Sequence, residues 1–135
     1  MPYEVGWLIN TRVISCRFFG DIVEADGIDL LKEMARMIDA GTAPVFVVID
    51  ALEITRVPKS LIPLVQAITE LQLDKAKLRY LLVLSNNPLH SFIGTIAAKF
   101  AGIHLRLLTD MNSAIDFIRT HDAELNTEIS KIVGQ

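Results

Sequence analysis

Apolar positions recur along this chain in two periods, and switching between them marks out the elements. Residues 3–10 and 12–20 are largely apolar and separated by almost nothing, a spacing that allows only an antiparallel hairpin with Asn10 and Thr11 at its turn. Over residues 24–40, Ile28, Leu31, Met34, Ala35 and Ile38 follow helical spacing, and Gly41 is placed to end the helix. Val45, Phe46, Val47, Val48 and Ile49 then form an unbroken β-branched and aromatic run between Pro44 and Asp50, as in a strand covered on both faces. Residues 78–84 have the same character. Between these strands Leu61, Leu64, Val65, Ile68 and Leu71 repeat helically, with Ser60 placed as N-cap and Pro63 in the tolerant first turn.

The pattern continues into a helix over 88–102, with Leu89, Phe92, Ile93, Ile96 and Phe100 on its core side. A strand over 104–108 follows, in which His104 and Arg106 alternate with Leu105 and Leu107, so one face is wet and the strand lies near a sheet edge. A last helix covers 111 to about 124 through Ala114, Ile115, Phe117 and Ile118, capped by Asp110 or Asn112. The predicted order is ββαβαβαβα: an α/β fold with a mixed, mostly parallel five-stranded sheet and packed helices. Residues 1–125 make one domain. Residues 126–135 are a tail or an extension of the last helix, since Leu125, Ile129 and Ile132 keep helical spacing.

Composition narrows the function more than the fold. Sixteen acidic residues against thirteen basic ones, a formal net charge of −3, leave no basic stripe with which to neutralise phosphates, so no nucleic-acid partner is expected. No apolar run reaches the length of a membrane span, because His90, Lys99, His104 and Arg106 interrupt the best candidate, so no stable membrane insertion is expected. The first residues lack the charged and apolar regions of a secretory signal. The single cysteine, Cys16, lies within an apolar run and is expected to be a buried thiol in a reducing cytoplasm. A mean hydropathy of +0.40 implies apolar surface in need of cover, by a homodimer interface or by a bound apolar or amphipathic ligand.

Signatures of catalysis are missing from the sequence. It contains neither a dinucleotide-binding nor a phosphate-binding glycine loop, and no nucleophile elbow. His90, His104 and His121 belong to different elements and have neither paired cysteines nor an H-E-x-x-H helix beside them, so no metal or cofactor is expected and the chain is read as a non-enzyme. Polar residues gather instead at the carboxyl ends of the predicted parallel strands, where α/β sheets bind their ligands. There Asp50, Lys59, Ser85, Asn86, Asn87, His90 and Asp110 are the candidate partner- or ligand-binding residues. The same residue types also serve as turn and cap residues.

Element order, the Gly20-Asp21-Ile22-Val23-Glu24 passage from hairpin to helix, and Val47-Val48-Ile49-Asp50 together resemble the STAS domain of bacterial anti-sigma-factor antagonists and its SpoIIAA-like relatives. The resemblance spans about residues 3–125. The switch segment of that family has the form D-L-x-x-V-x-x-I-D-S-S-G-L, and the serine before the glycine is phosphorylated. Asp50 aligns with the opening aspartate, Ile54 and Val57 with apolar positions, and Ser60 with that serine, while Pro58, Lys59 and Leu61 depart from the pattern. The resemblance implies a regulatory or adaptor domain that binds a protein partner, with a switch at the helix start near Ser60. The alternative expectation is a carrier or sensor of a small apolar or amphipathic ligand.

Overall fold

A computed structural model describes residues 3–56, 76–86 and 102–132, together with Pro63, Gln66, Ala67, Glu70 and Asp74. Strands β1 (Tyr3–Ile9) and β2 (Val13–Asp21) form the hairpin, followed by helix α1 (Glu24–Ala40) and strand β3 (Val45–Arg56). Strands β4 (Leu78–Leu84) and β5 (Leu105–Leu108) and helices α2 (Met111–His121) and α3 (Ala123–Ile132) complete the described chain. The strands make one sheet in the order β1-β2-β3-β4-β5, antiparallel between β1 and β2 and parallel elsewhere. The mixed five-stranded α/β architecture predicted from the hydrophobic pattern is therefore the observed one. The helices predicted over 60–71 and 88–102 lie largely outside the described residues, although Pro63, Gln66, Ala67 and Glu70 are helical.

Alternation along the central strands divides the core into two layers. On one face Ile14, Cys16, Val45, Val47 and Leu81 meet Leu30, Met34, Met37 and Ile38 of α1. On the other, Val13, Phe46, Val48, Leu82 and Leu84 meet Ala114, Ile118, Leu125 and Ile129 of α2 and α3. Val45 through Val48 are fully buried, which is why that run is continuously apolar. Cys16 belongs to the first layer, and burial pushes its thiol up to about 12.

Three features differ from the sequence pattern, each for a tertiary reason. First, β3 does not close at Asp50 but continues to Arg56, because β2 runs on beside it with Phe19 opposite Glu53 and Asp21 opposite Arg56. The Thr55 hydroxyl donates to Asp21 at 2.7 Å and the Ile22 N–H to the Arg56 carbonyl at 2.9 Å. Second, the helix predicted over 111–124 ends at His121, where Asp122 adopts an extended backbone. One Asp122 carboxylate oxygen accepts from Arg12 and the other caps α3 through the Leu125 N–H, which holds the residue out of the helix. The boundary drawn at residue 125 thus falls inside α3, whose Leu125 and Ile129 are core residues. Third, Gly41 ends α1 with φ −81, a conformation any residue adopts. A Cβ there would lie 2.8 Å from Val45 Cγ2, 3.0 Å from the Thr11 carbonyl oxygen and 3.2 Å from Trp7 Cη2, so close approach, not a left-handed turn, requires glycine.

Candidate functional site

At the carboxyl end of the sheet, register sets Asp50 beside Leu84, and Leu84 beside Leu108. One residue further on comes Ser85, whose N–H donates to the Leu108 carbonyl at 3.1 Å, and two further on Asn86, while Asp110 follows β5 by two residues. Asp50, Ser85, Asn86 and Asp110 thus line one edge of three adjacent strands, where β4 and β5 stop and β3 continues. Lys59, Ser60, Asn87 and His90 lie outside the described residues.

Two of these carboxylates serve the backbone. Asp50 Oδ1 accepts from the Leu52 N–H at 3.0 Å, an Asx turn beside the β2–β3 bulge. Asp110 is the N-cap of α2: its Oδ1 accepts from the Ser113 N–H at 2.7 Å, and this bond to the charged form holds the carboxyl below its ordinary value. Asn86 and Asp110 are exposed; Asp50 and Ser85 are half-buried.

The continuing part of β2 and β3 brings in residues that the sequence did not single out. Arg17 lies opposite Glu4 on β1 and Asp50 on β3, and it ion-pairs with Glu53. Glu53 first, then Glu4 and Asp50, raise the Arg17 guanidinium above its ordinary value, and the same guanidinium lies over the Phe19 ring at 5.8 Å. Period-2 alternation could have grouped Glu4 and Arg17 on one face, but only strand pairing brings Asp50 and Glu53 to them.

The opposite end of the sheet is held differently. Arg12, at the hairpin turn, is buried; its Nε donates to the Pro44 carbonyl at 2.9 Å, one terminal nitrogen to Asp122 at 2.6 Å, and the other to Glu124. With the Thr42 N–H on the Thr11 carbonyl and the Phe46 N–H on the Arg12 carbonyl, both at 2.8 Å, the turn is joined to four other segments. His121 ends α2, and its Nδ1 bonds the Phe117 carbonyl at 2.8 Å; His104 is exposed on the sheet edge beside Tyr80.

Among the described residues no three His, Cys, Asp or Glu side chains are grouped so as to hold a metal ion, and no helix is long and apolar enough to cross a membrane. No protein-family model matches the chain, and no curated protein does. Its structure is similar to that of an uncharacterized protein of the DUF3478 family with a SpoIIAA-like fold from Shewanella loihica PV-4. The TM-score is 0.60 at 14% identity, with 85% of this chain and 92% of that one covered. The SpoIIAA-like fold implied by the STAS resemblance is thus shown.

Proposed function

We propose that this chain is a non-enzymatic regulatory or adaptor domain that binds a protein partner at the carboxyl end of its sheet, in a reducing, cytoplasmic setting. One observation carries the reading: β2 and β3 continue past the row of Asp50, Leu84 and Leu108 as an exposed polar two-stranded platform. Asp21, Glu53, Thr55 and Arg56 are exposed along it, Arg17 is exposed at its start opposite Asp50, and Ser60 follows its end by four residues. Asp50 and Asp110 spend a carboxylate oxygen each on backbone N–H groups, a role suited to shaping a docking edge. Phosphorylation of Ser60 would add about −1.5 to −2 charges one residue along the chain from Lys59 and four from Arg56, enough to change which partner surface is accepted.

A small-ligand reading has one observation in its favour, an open groove of about 340 Å³ between α1 and the 63–70 segment. Ile28, Pro63 and Ala67 give its lining an apolar part, and Lys32, Gln66 and Glu70 a polar one.

The two readings separate by proximity labelling in cells, comparing the wild type with Ser60→Asp and Arg17→Glu, alongside native mass spectrometry of the purified chain. A protein enriched by the wild type and lost with either variant is the expected result. An identical set of neighbours for all three chains, or a stoichiometric mass excess that disappears on denaturation, would overturn the partner reading, the latter in favour of a ligand carrier.

A further inference from the structure

The sheet has two edges, and they are not alike. β5 is four residues long and carries Arg106, whereas β1 is seven residues long, with one charge, no lysine and no proline. Natural sheets blunt exposed edges with short strands, lysine, proline or inward charges. Only a register shift between Trp7 and Ile9 disturbs β1, and its single charge, Glu4, is matched across the hairpin by Arg17. On the side away from β2, no strand of the described residues pairs with β1.

Gly6, at the centre of this edge, gives a second and independent sign. Glycine weakens a strand interior and is kept there where a bulge, a bend or the close approach of another backbone requires it. No register shift falls at Gly6, its φ is not in the left-handed region, and a Cβ built on it meets nothing within 4 Å. Among the described residues, nothing in this chain's own packing therefore calls for glycine. Leu8, two residues on at the register shift, is 44% exposed.

We infer that β1 is the self-association edge of this protein: two copies pair antiparallel through β1 about a two-fold axis at Gly6, joining their sheets into one. The sequence of β1 complements itself in that register. Gly6 faces Gly6, which allows close backbone approach, and Val5 of each copy lies beside Trp7 of the other on the α1 side. The two Glu4 carboxylates fall at opposite ends of the paired strands, each beside the Arg17 of its own copy, so like charges do not oppose one another. The two-fold arrangement is isologous and closed, so it ends at a dimer.

Sedimentation or light scattering across low to high micromolar concentration tests this, with Gly6→Lys as the principal variant. The isolated chain has room for that side chain, whereas the dimer would bring two ammonium groups face to face. The wild type is expected at twice the 15.0 kDa chain mass, and Gly6→Lys at a single chain mass with unchanged circular dichroism and a Tm that does not depend on concentration. Leu8→Lys is expected to weaken the dimer in the same direction. Should Gly6→Lys fail to fold, amide exchange in the wild type replaces it: the inference requires backbone amides of Tyr3–Ile9 to gain protection as concentration rises. A wild type that stays monomeric throughout, a folded Gly6→Lys that stays dimeric, or protection that gains nothing with concentration would each overturn it.

Discussion

The two ends of the sheet are built on opposite principles. At the hairpin-turn end, one buried guanidinium joins β2, the Pro44 turn, the α2–α3 corner and the start of α3, and Gly41 is pressed against Thr11, Trp7 and Val45. At the carboxyl end the bonds stay within one turn or between the adjacent strands β2 and β3: Asp50 to Leu52, Asp110 to Ser113, Thr55 to Asp21 and Arg17 to Glu53. Cross-linking concentrates stability at the first end. Local satisfaction leaves the second free to change its sequence, and so its partner, without unfolding the domain.

The largest test of that contrast is Arg12→Ala. It leaves Asp122, whose side chain is 9% exposed, without its cation, and removing one member of a buried pair costs about 3–5 kcal/mol. Denaturant unfolding should show that loss, and Arg12→Met combined with Asp122→Asn should recover a substantial part, since asparagine still caps α3 while the uncompensated charge is gone. Glu124 is 75% exposed and contributes little to this sum.

Gly41→Ala comes next, at about 1–3 kcal/mol, the usual range for overpacking. The Thr11 carbonyl is backbone and cannot swing aside, so the loss should appear as a lower Cm with an unchanged m-value.

The smallest effect belongs to the carboxyl end. Asp110 titrates below its ordinary 3.8 in the folded chain, so its contribution is complete above the unfolded value and is lost as pH falls through the folded one. Asp110→Asn keeps a capping oxygen, so its Tm should match the wild type at pH 7. Below about pH 4 its stability should fall less steeply than that of the wild type. A large loss at pH 7 would mean that the carboxyl end is not locally satisfied after all.

How much of this was legible in the sequence follows the range of the interactions involved. The periodic spacing predicts α1 over 24–40 and the strand over 78–84, and both are observed with those bounds, because amphipathic spacing and an apolar run are local records of which face is buried. The strand ends also located Asp50, Ser85 and Asp110 along one edge. The true end of β3 was not legible, since it depends on how far β2 accompanies it, and neither was the break at Asp122, which depends on a residue 110 positions earlier. Nothing in the sequence within several residues of Arg12 shows that it is buried.

That separation has a consequence for how the chain matures during synthesis. The hairpin leaves the ribosome early, but Arg12 must wait for Asp122 and Glu124, among the last described residues to emerge. Until they arrive, the nascent domain carries a cation aimed at a site not yet made, and the second core layer lacks Leu125 and Ile129. Arrival of the α2–α3 corner closes both gaps at once, so a chain stopped before residue 122 would lack both the partners of Arg12 and part of the second core layer.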